Sequence, residues 1–557
     1  MNRFAIIVRL VFLFSLLSLN ACGGDDGGSN GNASNVTNTV LISPVAVSAV
    51  FPAEARAGET ITVSGQRFGA TQGSSTLSIN GAVATQIDSW SDTQIVATVP
   101  PGASTGNVTV TVDGVAGAPG HLIVRWQATN PTNVAVGVAT LDQIEPQLAT
   151  DGAGGAIVVW QDHRALTDSR NQGGDIYAQR VNNAGVPQWT ADGVAISTTA
   201  NGKRRPQIVA DGAGGAIIVW TDTGNLYAQR VNGSGALQWG ANGIDLGVAV
   251  SVPIPQIVVD GAGGAVIVWE GQLNNGFSRL RIQRVDSAGV PQWTPGGLAL
   301  TDEAGNDRRS VRLLADGAGG AFVAWNGASG MFAQSVNSAG APQWAANGVE
   351  VAGTLSNRDS RPELSTDGAA GVIVAWDDNT APSSLRAQRV NSAGVRQWGL
   401  SGVAVASGNS YQVQIASDDA GGAIVGWTDF SNIYVQRLNG AGALQWTATG
   451  VVLGVAEPVV SAQATPLRLI PDNVGGAIIV WEDFANGIAT DLYAQRVNNG
   501  GVTQWANATA LSTEINRQER PQLIADGVGG AVVVWQDRRS GNNYDIYAQG
   551  ITATGRQ

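Results

Sequence analysis

One phrase, "PQLATDGAGGAIVVWQD…DIYAQRVNNAGVPQWTADGVAI", first met at Pro146, occurs eight times along this 557-residue chain, the last copy incomplete. A repeat of this length limits the fold more than any composition can, because each copy is a supersecondary unit that buries its apolar face only against its neighbours. The first Trp of the unit falls at Trp160, Trp220, Trp269, Trp325, Trp376, Trp427, Trp481 and Trp535, at intervals of 60, 49, 56, 51, 51, 54 and 54 residues. Four short strands fit one unit. "PQLAT" is the first, and "DGAGG" is a glycine turn that supplies the positive φ of a hairpin. "AIVVW", apolar at every position, needs cover on both faces. "IYAQRV", the turn "NNAG" and "PQW…GVAI" complete the four. Four antiparallel strands per unit predict the blades of a β-propeller.

The second Trp of the unit appears only seven times, at Trp189, Trp239, Trp293, Trp344, Trp398, Trp446 and Trp505. An eighth stands ahead of the first unit. "VRWQATNPTNVAVGVA", residues 124–139, is expected to be a fourth strand with Trp126 in the Trp slot. It would complete the blade begun by residues 521–552, so that the ending at Gln557 marks a ring seam. The fold class is therefore all-β: a small Ig-like β-sandwich followed by an eight-bladed β-propeller closed by an N-terminal strand. Seven blades with a stray strand is the alternative. With 74 Gly and no sustained helical period, nothing in the chain speaks for helices.

Upstream, "PVAVSAVFPAEARAGETITVSGQRFGATQGSSTLSINGAVATQIDSWSDTQIVATVPPGASTGNVTVTVDG" alternates apolar and polar residues between Gly, Pro and Asn turns, as a half-buried sandwich does. Its landmarks Pro52, Gly58, "TVSGQRFG" and "TQIVATVPPGASTGNVTVTV" resemble the immunoglobulin-like IPT/TIG family over residues 44–123. That resemblance implies a spacer or adhesive module of surface proteins and transfers no site residue.

The first 21 residues have a basic start (Arg3, Arg9) and an apolar stretch, which predicts a secretory signal. Leu19-Asn20-Ala21-Cys22 resembles a bacterial lipobox, which implies that Cys22, the only cysteine, is lipidated; Gly23 rather than Asp implies outer-membrane sorting, on the periplasmic side or at the surface. Residues 22–43 are expected to be a flexible tether, with the propeller spanning 124–557. Membrane contact is thus expected through the lipid anchor alone. A net charge of −12 argues against a nucleic-acid partner.

The "YAQRVNNAGVPQW" phrase also looks like the repeat of pyrroloquinoline-quinone-type propellers, keeping its Tyr-Ala, Gly and Trp but lacking its Leu-Asp and Thr-Gly. The unit is similar as well to repeats of uncharacterised bacterial surface proteins. The first resemblance implies blade architecture; it leaves a quinone-dependent enzyme and an outer-membrane assembly factor as alternatives.

Shared residues are read as packing. A third-strand Gln recurs in all eight units, Arg follows it in six, and the turn Asp caps its own turn. Its spacing matches no calcium loop. Function is sought where units differ. Connections alternate between the two faces of the disc, so "DGAGG" and "NNAG" share one face. The variable, charged loops share the other, among them "QDHRALTDSRNQGG", "TTANGKRR", "TDEAGNDRRS" and "TEINRQER".

On that face the Trp-x-Asp carboxylates include Asp162, Asp378 and Asp537, and Gly271 and Gly327 are expected to leave a gap. With Arg164, Arg308, Arg309 and Arg538 they form the ligand-binding candidates. Arg205, Arg361 and Arg520 are expected to pair with Trp-x-Asp carboxylates. A polar ring of Gln147, Gln207, Gln256, Arg312, Glu363, Gln414, Arg468 and Gln522 is expected at the central channel.

Two histidines, His121 and His163, supply neither a zinc cluster nor a triad, so no metal, cofactor or catalytic residue is assigned. A glycosidase dyad among the many carboxylates stays open. The expectation is a monomeric, non-catalytic envelope module that binds a protein or glycan, with a carbohydrate-active or quinone-dependent enzyme as the alternative.

Overall fold

The computed structural model describes residues 45–556, leaving out 57, 101–102, 104–105, 126–132, 167–172, 200–201, 249–253, 273–277, 302–308, 328–329, 354–359, 379–382, 409, 430, 456–466, 484–489 and 506–507. Cys22, its flanking segments, Trp126 and Arg308 lie outside the described residues.

Residues 46–125 form two packed sheets. One has the order Ala46–Phe51, Thr60–Gln66, Gln94–Thr98, Ile87–Trp90; the other is built on Glu54–Arg56, Gly120–Arg125, Gly106–Val112 and Thr76–Ile79. Alternate residues Ile61, Val63, Leu77, Ile79, Ile95, Val108 and Val110 point inward and are fully buried around Phe68. Gly65 of "TVSGQRFG" is required by that ring: a Cβ there would stand 2.3 Å from Phe68 Cζ.

The rest of the described chain is eight antiparallel sheets, seven of four strands and the last of four with the short strand Gly555–Arg556 added. Blade 1 is Gln143–Thr150, Ala156–Asp162, Asp175–Val181 and Val194–Ser197, and the next six repeat that order outward from the first strand. Blade 8 takes Gln518–Ala525, Ala531–Asp537 and Asp545–Thr552 from the end of the chain and Val134–Gly137 from before blade 1. Val134 and Ala135 pair antiparallel with Ala548 and Tyr547. The described part of the closing strand is Val134–Gly137, and residues 126–132 of the expected strand lie outside the described residues. Val124 and Arg125 belong to the sandwich, where Ile123–Arg125 runs parallel to Glu54–Arg56. Both segments are short apolar runs, Leu122–Val124 and Val134–Val136, and the strand pattern alone does not separate them.

Why the second strands are apolar throughout is now plain. Val158 and Trp160 pack toward blade 8, whereas Ile157 and Val159 pack toward blade 2. Each blade face is the wall of a core shared with a neighbour, and eight such cores follow round the ring. The eighth joins Val136, Val532, Val534, Ile546 and Ala548 of blade 8 to Ala156, Val158, Trp160 and Val181 of blade 1. First strands touch their successors all the way round, blade 8 touching blade 1.

A polar clamp reinforces these cores on the face of the short turns. In blade 1, Asp151 Oδ1 accepts the N–H groups of Ala153 and Gly155, capping its turn at 2.8 Å each. Its Oδ2 accepts Arg180 Nε at 2.9 Å, and Arg180 donates onward to Gly233 O of blade 2. Trp189 Nε1 donates to the same carbonyl at 3.0 Å. The Asp–Arg pair recurs as Asp211–Arg230, Asp260–Arg284, Asp367–Arg389, Asp418–Arg437 and Asp472–Arg496. Blades 4 and 8 carry Ser335 and Gly550 in the Arg position. At Gly550 the reason is steric, since a Cβ would stand 2.3 Å from Asn183 O of blade 1. At Ser335 the link kept is that of Trp344 Nε1 to Ser392 O, at 3.0 Å.

Charge-assisted bonds of this kind contribute about 1–3 kcal/mol. Arg230→Ala is therefore expected to lower stability by about 1–2 kcal/mol, and Ser335→Arg to raise it by up to about 1 kcal/mol. Urea denaturation midpoints check both; an unchanged midpoint in Arg230→Ala would show that the clamp is idle.

Candidate functional site

The face opposite the short turns carries the loops between second and third strands and those leading into each first strand. Here the first strands of blades 1, 2, 4, 6 and 8 each contain a β-bulge. At each bulge a non-glycine residue is left-handed: Glu145 (φ 56), Arg205 (φ 56), Ser310 (φ 59), Gln412 (φ 55) and Arg520 (φ 56). Such residues cost about 1–3 kcal/mol apiece and persist only where surroundings hold them. At Glu145 and Arg520 the middle residue of Trp-x-Asp in the preceding blade does so. Gln536 Oε1 accepts the Glu145 N–H at 3.1 Å, and Glu482 Oε1 accepts the Arg520 N–H at 2.6 Å. These bulges set polar side chains around one mouth of the ring.

Beneath the bulges lies the predicted polar ring. Gln147, Gln207, Gln256, Arg312, Glu363, Gln414, Arg468 and Gln522 sit on the eight first strands, half-buried, each opposite an equivalent second-strand residue. The two arginines reach the next blade, Arg312 pairing with Glu363 at 2.8 Å and Arg468 Nε donating to Gln522 Oε1 at 3.1 Å, whereas Gln207, Gln256 and Gln414 donate to the carbonyl of the preceding residue. Burial lowers the pKa of the Arg468 guanidinium, opposed by Glu363 and Glu482.

The Trp-x-Asp carboxylates serve the scaffold. Asp162, almost wholly buried, accepts Trp160 Nε1 at 2.8 Å and both Nε (2.8 Å) and a terminal nitrogen (2.6 Å) of Arg164, whose guanidinium lies 3.8 Å over the Tyr177 ring. Asp537 does the same with Trp535, Arg539 and Tyr547. The counterpart of Arg164 is thus Arg539, not Arg538, and Arg539 also holds the closing strand through Asn133 Oδ1 at 2.8 Å. Asp378 pairs with Arg386 at 3.0 Å.

The expected gap at Gly271 and Gly327 is filled. A Cβ on Gly271 would stand 2.6 Å from Arg281 Cδ, and one on Gly327 3.2 Å from the Phe332 ring. Where the third strand carries Arg281 or Phe332 instead of Tyr, that side chain occupies the space the missing Asp vacates. Arg309 opens the first strand of blade 4, with its side chain outside the described residues. Arg520 pairs with Glu145 across the seam at 3.0 Å rather than with a Trp-x-Asp carboxylate, and the Arg361 N–H donates to Asp377 Oδ1 at 3.3 Å.

What the structure does bring together, in the sector of blades 7, 8 and 1, is a network the sequence did not single out. Tyr544 Oη donates to Glu519 Oε2 at 3.0 Å, and Arg517 pairs with Glu519 Oε1 at 3.3 Å. Gln536 Nε2 also donates to Glu519, and Arg538 lies 5.5 Å over the Tyr544 ring. Burial and Glu519 push the Tyr544 phenol up to about 12, so it is a neutral donor and no nucleophile near neutral pH. Burial, aided by Glu519 and opposed by the Arg520 N–H and Arg468, lifts Glu482 to about 7. His163, bonded to Gln161, is held below its usual pKa by burial despite Asp142, Asp162 and Glu145. Among the described residues no group of three His, Cys, Asp or Glu could hold a metal ion.

Residues 44–122 match the IPT/TIG domain. No curated protein matches the chain. Among solved structures, an auxiliary nutrient binding protein from Bacteroides thetaiotaomicron is 9% identical, with a TM-score of 0.29 over 78% of this chain and 95% of that one. A polysaccharide lyase, the PL25 ulvan lyase, is 10% identical, with a TM-score of 0.39 over 76% and 96%. A quinonprotein alcohol dehydrogenase-like protein from B. thetaiotaomicron is 11% identical, with a TM-score of 0.35 over 83% and 94%.

The Glu482 carboxyl generates a pH prediction. Its folded pKa lies above the unfolded value, so its protonated form favours the native state, fully below pH 4.5 and progressively less up to about 7. Glu482→Gln keeps an acceptor for the Arg520 N–H, as Gln536 does for Glu145. It is expected to match the parent at pH 4.5 and to exceed it at pH 8 by on the order of 2–3 kcal/mol, read from denaturation midpoints across that range. Parallel pH profiles would contradict it.

Proposed function

We propose that this chain is a non-catalytic binding module of the cell envelope, lipid-anchored at Cys22 in the outer membrane, on its periplasmic side or at the surface. The IPT/TIG domain serves as a spacer, and the loop-bearing face of the propeller receives a glycan or protein. The observation that carries this reading is the asymmetry of the two faces. On one, short uniform turns are consumed by the Asp–Arg–Trp clamp that joins blades. On the other, the strained bulges hold charged side chains at the mouth of the ring, Arg520 and Glu145 among them, with partly exposed guanidinium and carboxylate groups. Rigid elements that present polar groups around a concavity are the usual architecture of recognition.

A glycan array and an envelope pull-down with the whole chain test it. Glu145→Ala with Arg520→Ala, a partly exposed pair on the loop-bearing face, is expected to lower capture at least about tenfold, a loss of about 1.4 kcal/mol. The melting temperature should stay unchanged. Val290→Ser with Val395→Ser, exposed on the short-turn face, should leave capture intact. The opposite pattern would move the binding face or remove it.

A further inference from the structure

We propose that the mouth of the ring in the sector of blades 7, 8 and 1 is the seat of the ligand, and that this ligand is a saccharide bearing acid groups, carboxylate or sulfate. The inference rests on the binding reading above and narrows it to one sector and one chemistry.

Charge is the first argument. The chain as a whole is acidic, at −12 with 31 Lys and Arg in 557 residues. Yet Arg468, Arg517, Arg520 and Arg538 gather here. Arg520 pairs with Glu145 and Arg517 with Glu519, Arg538 N–H donates to Arg517 O, and Arg468 reaches Gln522 just beneath. The third carboxyl, Glu482, is buried and bound to the Arg520 N–H. With its pKa near 7, Glu482 carries little negative charge on the acid side of neutrality, while Glu145 and Glu519 are each paired with one guanidinium and Glu514 and Asp537 with Arg539. Further along the belt Arg312 and Glu363 pair with each other.

Availability is the second argument. The side chains of Arg517 and Arg520 keep 49% and 47% of their surface exposed, so each can take a second partner on its open edge. A guanidinium offers two parallel N–H bonds to a carboxylate or sulfate, which a point charge cannot do. Arg520 projects from a bulge whose N–H is fixed from the neighbouring blade, so ordering it on binding costs little.

The third argument selects a saccharide. Below the arginines lie the amides of Gln522 and Gln147, on the first strands of blades 8 and 1, and amides both donate and accept, as hydroxyl groups do. Tyr544 adds an aromatic wall. A peptide would need an apolar pocket for its anchors, and the belt offers amides and charges instead.

Affinity electrophoresis of the whole chain through gels containing polygalacturonate, dextran sulfate or neutral dextran tests this. Retardation is expected in one or both acidic polymers, which of them telling carboxylate from sulfate, and none in neutral dextran. Arg520→Ala and Arg517→Ala should each weaken retardation at least about tenfold at unchanged melting temperature, while Arg281→Ala in blade 3 leaves it intact. Retardation should also fall as pH rises from 6 to 8, and Glu482→Gln should abolish that fall. Equal retardation by neutral dextran, or retention of binding in Arg520→Ala, overturns the acid-group inference while leaving a glycan-binding module standing. No retention by any polymer, together with a blank glycan array, overturns both.

Discussion

Burial of every second strand on both of its faces is the constraint on which the molecule depends. A blade such as blade 1, with Ile157 and Val159 turned one way and Val158 and Trp160 the other, is not a stable object alone. Each face becomes core only when a neighbour covers it, and an open row of blades would leave two faces and two strand edges in water. Closure is therefore part of the energetics of every blade. The chain achieves it by lending blade 8 a strand from its other end, with Val136 completing the eighth core.

The two faces of the ring follow from that geometry. On the short-turn side the chain repeats one solution, a carboxylate that caps its own turn and a guanidinium that carries the contact to the next blade. That side has little freedom left. On the other side, from blade 7 to blade 8 and from blade 8 to blade 1, the link runs through the middle residue of Trp-x-Asp to a bulge in the next first strand. A bulge re-aims side chains, and the identity of the left-handed residue changes from blade to blade: Glu145, Arg205, Ser310, Gln412, Arg520. The scaffold is thus repetitive where it holds itself together and individual where it meets a partner.

Much of this was legible in the sequence. Spacing of the Trp residues marked the blades, the unmatched Trp slot pointed to closure by an N-terminal strand, and the "TVSGQRFG" segment identified the sandwich. The polar ring stands on the first strands because its position relative to the turn Asp is fixed in every unit. The Asp–Arg clamp was half visible: both residues recur, and Arg is missing from the same position in blades 4 and 8, but turn capping and strand position do not reveal that they touch. The gap at Gly271 was misread because the residue that fills it, Arg281, lies on the adjacent strand, where Tyr stands in five of the other blades. The network of Glu482, Glu519, Arg520 and Tyr544 joins residues up to 62 positions apart in two strands and a loop, and with Glu145 it crosses the seam. No local pattern announces it, since it depends on which blade follows which. Only the ring, once closed, brings Glu145 beside Arg520.

Closure can be read directly by cross-linking. Ala135 and Tyr547 are opposed across the seam of blade 8, and opposed residues of an antiparallel pair lie about 4.5–5.5 Å apart at Cα, within reach of a disulfide. In a chain with Cys22 replaced by Ser, Ala135→Cys with Tyr547→Cys is expected to form an intramolecular disulfide under mild oxidation. Non-reducing peptide mapping should show residues 135 and 547 joined in nearly every molecule. Both thiols remaining free in the folded protein would contradict a ring closed by this strand, and with it the seam-side site.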